Sequence, residues 1–275
     1  HFYNEDMNDA AQEHRALESM IRQALKNREF ELHYQPKIDI GTGAVLGSES
    51  LIRWNQPERG MIGPDEFIPV AERCQLIVEI GEWVLQEACR QNVVWQKTGM
   101  PPLNCSVNLS PFQLRDSRLI QSIDDVLATT GFDPGCLEVE ITESAILHNI
   151  ESITALLRLL RMRGIAVSID DFGTGYSSLT HLKQLPVDKL KIDRSFVSNI
   201  MGHDGDAEIT SAAISLGQTF GLKVIAEGVE EQSQLDFLRA EGCDQAQGYF
   251  LSRPLSAADF VEWYDAHHDR HAATN

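Results

Sequence analysis

The residues best suited to chemistry in this 275-residue chain are two adjacent carboxylates, Asp170 and Asp171. They end an apolar stretch, 165–169, whose alternation of apolar and small residues predicts a strand. Neighbouring carboxylates that lose hydration repel each other, so they must share a proton or bind a cation. Gly173 and Gly175 would let the following loop turn tightly or approach a ligand. The alternative is that Asp171 caps a helix and Asp170 is a solvated neighbour.

Other polar residues also fall at the carboxyl ends of predicted strands. In the strand predicted at 137–141, Leu137, Val139 and Ile141 share an apolar face, which leaves Glu140 pointing the other way. Asn108 and Asp170 have the same parity in their own strands. If these strands are parallel and close into a barrel, their ends meet at one mouth. The full set is Glu49, Asn108, Glu140, Asp170, Asp171, Lys191, Glu227 and Gln247.

Five carboxylates at one mouth could not all stay ionised without cations, because burying one bare charge costs on the order of 20 kcal/mol. Oxygen ligands without a nearby His or Cys favour Mg²⁺ or Mn²⁺. Two such ions about 4 Å apart are a recurrent device for hydrolysing phosphate esters. Taken singly, each group has a plainer interpretation: an acid can be a cap or an ion-pair partner, Asn108 can satisfy backbone, and Gln247 can fill the mouth. Lys191 alone could be an ion-pair partner or the Schiff-base lysine of a barrel aldolase.

The elements that would position these residues alternate between strands and helices. A Gly-Thr-Gly turn at 41–43 joins 30–40 to 44–54, which predicts an antiparallel pair. Helices closed by glycine then alternate with strands at 104–110, 137–141, 165–169, 188–192, 222–228 and 246–250. This order predicts an α/β fold, a (β/α)8-type barrel. An open doubly wound sheet is the alternative.

Composition narrows the classes of partner. A hydrophobic content of 43% supports a large core, and no apolar run is long enough to span a bilayer. A formal charge of −18 with a pI near 4.8 disfavours long nucleic acid as a partner and direct contact with a membrane. The five scattered cysteines form no CxxC pair, which predicts reduced thiols and a cytoplasmic location. Because the chain begins at His1, we expect it to be part of a longer protein, which could be anchored in a membrane.

Three segments are expected along the chain. Helix-forming residues with apolar spacing at 8–27 predict a leading helix, which defines the segment 1–27. It could be a linker from an upstream domain or a cap on the bottom of the fold. The barrel is expected over 28–265, and its last helix is expected to start with a capping box at Ser256 and Asp259. Residues 266–275 are expected to form a flexible tail.

With these residues in place, the chain resembles the EAL-domain cyclic-di-GMP phosphodiesterases. The resemblance runs from Tyr34 to Pro254 and rests on nine motifs in order: YQP, ESLIRW, FIPVAE, SVNLS, EITES, DDFGTGYSS, LPVDKLKIDRSF, IAEGVE and QGYFLSRP. It implies a modified TIM barrel with an antiparallel first strand. It also implies hydrolysis of cyclic di-GMP to linear pGpG with two Mg²⁺ or Mn²⁺ ions, and a homodimer.

The resemblance implies a role for each matching residue. Glu49, Asn108, Glu140 and Asp170 would bind one metal, and Asp170, Asp171 and Glu227 the other. Lys191 would orient the attacking water, with Gln247 near that water. Glu143 would anchor the loop 172–178. The expected catalytic group is Glu49, Lys191, Glu227 and Gln247, and the expected substrate contacts are Gln35, Leu51, Arg53 and Asp193.

One residue departs from the family motif. Ser50 stands where the name-giving motif has Ala, and it leaves every ligand in place. Two other hypotheses remain open from the sequence: a receptor that binds cyclic di-GMP without hydrolysing it, and an aldolase that uses Lys191.

Overall fold

The structure, a computed structural model, describes residues 2–147, 150–175, 182–202 and 204–272. Strands and helices alternate along most of it, as the sequence predicts. The strands are β1 (Phe30–Asp39), β2 (Val45–Gln56), β3 (Gly60–Ile62), β4 (Asn104–Asn108), β5 (Leu137–Thr142), β6 (Ala166–Phe172), β7 (Lys189–Ile192), β8 (Lys223–Ala226) and β9 (Gln245–Ala246). The helices are α1 (Phe2–Asn27), α2 (Pro64–Arg73), α3 (Ile77–Lys97), α4 (Leu119–Thr130), α5 (Glu143–Leu147), α6 (Ile150–Met162), α7 (Arg194–Val197), α8 (Asp204–Phe220), α9 (Gln232–Ala240) and α10 (Ala257–Ala272).

The sheet closes into an eight-stranded barrel. Strand β1 pairs antiparallel with β2 on one side and with β9 on the other, and β2 through β9 are otherwise joined by parallel pairs that skip the short β3. Both the barrel and its antiparallel first strand are therefore confirmed, and the open doubly wound sheet is wrong. Parallel closure brings the carboxyl ends of β2 and β4–β9 to one mouth.

Strand parity follows the sequence prediction. Leu137, Val139 and Ile141 are fully buried on the outer face of β5, where helices cover them. Glu138 and Glu140 point into the lumen, since both pair there with Lys37. The lumen is therefore lined by charge. Its buried polar side chains include Lys37, Ser106, Glu138, Glu140, Ser168, Lys189 and Lys191.

Two predicted boundaries differ from the structure. The last strand was expected at 246–250. In the structure it covers Gln245–Ala246, and the chain turns at Gly248. A Cβ at Gly248 would lie 2.1 Å from the carbonyl oxygen of Val229, so close packing of two backbones ends the strand there. The second difference is at the C-terminus. The tail was expected to begin at residue 266, but α10 continues to Ala272.

The leading helix is longer than expected and covers Phe2–Asn27. Near its end, Ile21 and Ala24 are fully buried in the core. Trp54 donates an indole N–H to Glu29 just beyond the helix, at 3.0 Å. The end of α1 is thus packed onto the barrel.

The five cysteines are free thiols in the structure. Burial raises the pKa of Cys105 and of Cys243 to about 12, so both thiols are inert at neutral pH. Across the described ranges, no helix combines the length and the apolar character that crossing a membrane requires.

Candidate metal centre

Two groups of carboxylates meet at the mouth of the barrel. Glu49, Glu140 and Asp170 each offer an oxygen within 4.8 Å of the others, and so do Asp170, Asp171 and Glu227. Asp170 belongs to both groups because β6 ends between the other ligands. It is a buried residue, which rules out the reading of Asp170 as a solvated neighbour of a helix cap. The convergence predicted from strand ends is therefore present.

Lys191 lies at the centre of these carboxylates. Its Nζ is 2.6 Å from Glu227 Oε1, 3.1 Å from Asp170 Oδ2 and 3.5 Å from Glu49 Oε2, and it also contacts Glu140 Oε2. Burial by itself would lower the pKa of this amine, but the surrounding carboxylates raise it well above its ordinary value. An imine-forming lysine needs a neutral amine, so this environment disfavours the aldolase hypothesis.

The Glu49 carboxylate is held by two amides. Its Oε1 accepts from Asn108 Nδ2 at 2.6 Å, and its Oε2 accepts from Gln247 Nε2 at 2.7 Å. Gln247 also donates to Gln35 Oε1 at 3.0 Å, and Gln35 in turn donates to the carbonyl of Ser252 at 3.0 Å. The amide oxygen of Gln247, Oε1, is buried and has no hydrogen-bond partner among the described residues. An unpaired buried acceptor of this kind is available to a water or a ligand at the mouth.

Asp171 has an unusual backbone and an unusual charge environment. Its φ of 55° is left-handed, which is rare for a residue other than glycine and directs its carboxylate back toward Asp170. Burial, repulsion from Asp170 and contact with Asp193 raise its pKa to about 6. Asp193 itself accepts from the backbone N–H of Ser195 at 2.9 Å and starts α7. A cation at this position would relieve the repulsion among these acids.

The loop after β6 is tied to Glu143, a buried residue at the start of α5. Glu143 Oε2 accepts from the backbone N–H of Gly173 at 3.0 Å. A Cβ at Gly175 would lie 2.6 Å from Glu143 Oε1, so the loop passes against this carboxylate. Part of the predicted loop, residues 176–178, lies outside the described residues.

A cleft of about 250 Å³ opens above the carboxylates. Its lining includes the expected Gln35, Leu51 and Gln247 and the unexpected Arg194 and Tyr249. The ring of Tyr249 is half exposed, and the Arg253 guanidinium covers it at 4.4 Å from the ring centroid.

Two expected substrate contacts lie outside the lining of this cleft. Arg53 is half-buried and donates to the carbonyl of its neighbour Ile52 at 2.8 Å. Asp193 is partly buried. It contributes to the raised pKa of Asp171 and accepts a hydrogen bond from the backbone N–H of Ser195.

The donor set fits divalent cations. It is built from carboxylate and amide oxygens, and among the described residues the two ligand groups contain no His or Cys. Hard cations such as Mg²⁺ and Mn²⁺ prefer such oxygens. The pairing of four carboxylates with one lysine leaves an excess of negative charge, which cations would neutralise.

Sequence reasoning missed the lysines and acids deeper in the barrel. From the sequence alone, no role is assigned to Lys37, Glu138 or Lys189. The signal was present, because Glu138 and Lys189 stand two residues before Glu140 and Lys191 and so share their face. Arg194 and Tyr249 gave no comparable signal, since the loops that carry them follow no simple period.

Comparisons with known proteins agree with this site. The sequence profile of the EAL domain matches residues 18–254. The bifunctional diguanylate cyclase/cyclic di-GMP phosphodiesterase MucR of Pseudomonas aeruginosa is 44% identical over 94% of this chain, and the cyclic di-GMP phosphodiesterase NbdA of the same organism is 41% identical over 97%. The match spans only 38% of MucR and 34% of NbdA. A solved structure described as the PaMucR phosphodiesterase in complex with c-di-GMP superposes with a TM-score of 0.87 at 44% identity, covering 89% of this chain and 99% of that one.

Proposed function

Because this chain belongs to the EAL domain family, we propose that it hydrolyses cyclic di-GMP to linear pGpG with the help of two Mg²⁺ or Mn²⁺ ions. The observation that carries the proposal is the pair of carboxylate groups that share Asp170 beneath an open cleft. Phosphodiester hydrolysis requires charge stabilisation on both the attacking and the leaving oxygen, and a shared carboxylate is the usual bridge between two ions.

The residues that we propose to hold the ions are those that the family resemblance implies, and the two carboxylate groups support the assignment. Glu49, Asn108, Glu140 and Asp170 would bind one ion, and Asp170, Asp171 and Glu227 the other. When bound, the ions lower the pKa of water and stabilise negative charge on the phosphoryl group. No other chemistry is required of them.

Two polar residues of the chain then direct the attack. The Lys191 ammonium lies among the proposed ligands, where it can orient the attacking water and stabilise charge that develops on the phosphoryl oxygens. Gln247 fixes Glu49 through its amide N–H and has an unpaired oxygen that can accept from the same water. Holding these groups in place before the reaction lowers its barrier, because little reorganisation remains to be done.

The substrate would lie across the cleft. Gln35 and Leu51 line its floor, and Tyr249 offers a half-exposed ring at its rim on which a purine can stack. Arg53 would contact a phosphate after giving up its hydrogen bond to the carbonyl of Ile52. Asp193 lies beside Asp171, and we assign it a contact with the substrate from that position.

The domain organisation, the oligomeric state and the location of the whole protein are also proposals. The matched relatives are about three times longer than the aligned part, which supports further domains in the parent chain, upstream of a linker helix at 1–27. We place the catalytic unit at 28–265, with the rest of α10 after it, and propose a homodimer in the cytoplasm.

The test is a hydrolysis assay with purified protein, cyclic di-GMP and Mg²⁺ or Mn²⁺, in which pGpG is resolved by chromatography. We expect metal-dependent product that a chelator abolishes. Glu49→Gln should lower the rate by at least about a hundredfold, because it removes one anionic ligand and its hydrogen bonds. Glu241→Gln, at an exposed position, is the matched control and should retain the wild-type rate.

The same experiment separates the enzyme from a receptor. A binding isotherm for cyclic di-GMP, measured in Ca²⁺ and again in Mn²⁺, should show binding in both and turnover in Mn²⁺. Tight binding without any pGpG in Mg²⁺ or Mn²⁺ would overturn the proposal in favour of a receptor. Absence of both binding and turnover would reject the substrate.

A further inference from the structure

Lys37 is a buried lysine that the proposed reaction leaves without a role. It lies near the end of β1, and 1% of its side chain is exposed. Its Nζ donates to Ser106 Oγ at 2.6 Å, lies 3.4 Å from Glu138 Oε1 and contacts Glu140 Oε1. Burying an ammonium group costs several kcal/mol unless it is well paired. A lysine retained at this depth therefore calls for a physical explanation.

The position of Lys37 is one layer below the mouth. In the β1–β2 ladder, Gln35 is opposite Glu49, whereas Lys37 is opposite Gly47, two residues further from the mouth. On β5 and β7 the corresponding deeper residues are Glu138 and Lys189, which pair with each other at 2.5 Å. Two lysines and one glutamate therefore lie directly beneath the carboxylates of the mouth.

Glu140 joins the two layers through its two oxygens. Oε1 contacts Lys37 in the deeper layer, and Oε2 contacts Lys191 in the upper layer. This arrangement leaves the carboxylate a single orientation, with one oxygen held below and the other directed toward Glu49 and Asp170. Oε2 is thus the oxygen that Glu140 can offer to a cation at the mouth.

We propose that Lys37 is a positioning residue that fixes the carboxylate of Glu140 for metal binding. The proposal rests on the proposed function, since it assumes that cations bind at the mouth. Groups that hydrogen-bond to a metal ligand set its orientation, and losing one typically weakens metal binding about 10- to 100-fold. Lys37 also balances the charge of Glu140 from below, so the upper layer need not satisfy both oxygens.

The paired lysine Lys189 provides a matched control. It contacts Glu138 in the same layer, and Glu140 is not among its ion-pair partners in the described residues. The double variants Lys37→Met/Glu138→Gln and Lys189→Met/Glu138→Gln each lose one lysine and the same acid. Their net charge is equal, and they differ only in which lysine remains.

The experiment is a titration of each metal-free protein with Mn²⁺, in which free Mn²⁺ is counted by electron paramagnetic resonance and folding is followed by circular dichroism. We expect Lys37→Met/Glu138→Gln to bind Mn²⁺ at least tenfold more weakly than the wild type. Lys189→Met/Glu138→Gln should stay within about threefold of the wild type.

Each other outcome counts against the inference. Equal affinity of the two double variants, or loss of the folded state in the Lys37 variant, would show that Lys37 serves only the fold. If the wild-type protein itself binds no Mn²⁺, the proposed metal centre fails and this inference fails with it. If the wild type binds but Lys37 proves irrelevant, the proposed function stands.

Discussion

Lys191 shows how one side chain can serve both the resting and the reacting protein. In the absence of ions its ammonium lies among four carboxylates and offsets part of their repulsion. Cations bound at the mouth would offset much of this repulsion instead. The lysine would then be free to act on the substrate and the attacking water.

The first prediction concerns Lys191→Met. We expect kcat to fall at least about a hundredfold, because a preorganised charge is lost from the transition state. Mn²⁺ affinity should stay equal or rise, since the carboxylates lose a competing cation. The measurement is a steady-state assay together with a Mn²⁺ titration, and Lys189→Met serves as control. A parallel loss of metal binding and activity would contradict the separation of roles.

The second prediction uses the raised pKa of Asp171, about 6 in the folded protein. A folded-state pKa above the unfolded value means that protonation favours the folded state, so this group's contribution is greatest below about pH 4 and is lost as pH rises through about 6. Asp171→Asn should therefore stabilise the metal-free protein at about pH 7.5 by about 1 kcal/mol, after allowance for partial exposure. The gain should shrink toward about pH 4.5.

Thermal unfolding of both proteins in a chelator at the two pH values provides the measurement. Asn suits the test because it tolerates the positive φ at this position nearly as well as Asp. An equal shift at both pH values would mean that the effect comes from packing and not from titration.

Single residues also show how far the sequence could lead. Asp170, Glu140 and Asn108 were found from parity and strand ends, because a period of two fixes the direction of every side chain in a strand. Tyr249 and Arg194 were not found. They lie on a turn and on a one-turn helix, where direction depends on the packing of Gly248 against Val229 and on other tertiary contacts that no local pattern encodes.

At the level of elements, the loop after β6 is the segment most closely fitted to the site. It leaves the strand through the left-handed Asp171 and then passes Gly173, whose φ is 102°. The backbone N–H of Gly173 donates to the carboxylate of Glu143, the first residue of the helix after β5. The loop thus connects the ends of two neighbouring strands and holds Asp171 close to Asp170.

The third prediction is that Gly175→Ala lowers activity more than stability. The added methyl group would come within 2.6 Å of Glu143 Oε1, so the loop or the carboxylate must shift. We expect a loss in kcat of about ten- to a hundredfold, since a misplacement of about 1 Å at a reacting centre can cost about a hundredfold. The midpoint of thermal unfolding should change by only a few degrees. Gly63→Ala, where nothing lies within 4 Å of an added Cβ, is the control.

Element boundaries were predicted well where turn chemistry is local. Helix α4 ends at Gly131 in the left-handed conformation, as its glycine indicates. The end of the last strand was missed, because the turn at Gly248 is imposed by the backbone of a distant segment. Local signals can place a helix end, whereas contacts between remote segments must be seen in three dimensions.

At the scale of the whole molecule, closure of the barrel makes the site possible. The proposed ligands come from β2, β4, β5, β6 and the segment after β8, which are far apart in sequence and meet only when β1 pairs with both β2 and β9. The sequence indicated this closure through its alternating elements and its opening hairpin. Strand parity could also have placed Glu138 and Lys189 in the lumen, but it could not indicate which lysine pairs with which glutamate, since that depends on the register between strands.

The fourth prediction follows from the charge of the whole chain, −18 at neutral pH. Cyclic di-GMP carries two phosphodiester charges, and two divalent ions would still leave the protein strongly negative. The long-range field therefore opposes approach of the substrate, and added salt weakens that field because the Debye length falls from about 30 Å at 0.01 M to about 10 Å at 0.1 M. We expect the KM for cyclic di-GMP to fall about two- to fivefold over this range of NaCl, with kcat nearly constant.

The measurement requires saturating Mn²⁺ at every salt concentration, so that weaker metal binding does not mask the effect. The control is a Mn²⁺ titration at the highest salt, which should show full occupancy. A KM that rises steadily with salt would mean that basic groups at the rim, such as Arg53, Arg194 and Arg253, dominate the encounter. The local field of the cleft would then outweigh the net charge of the molecule.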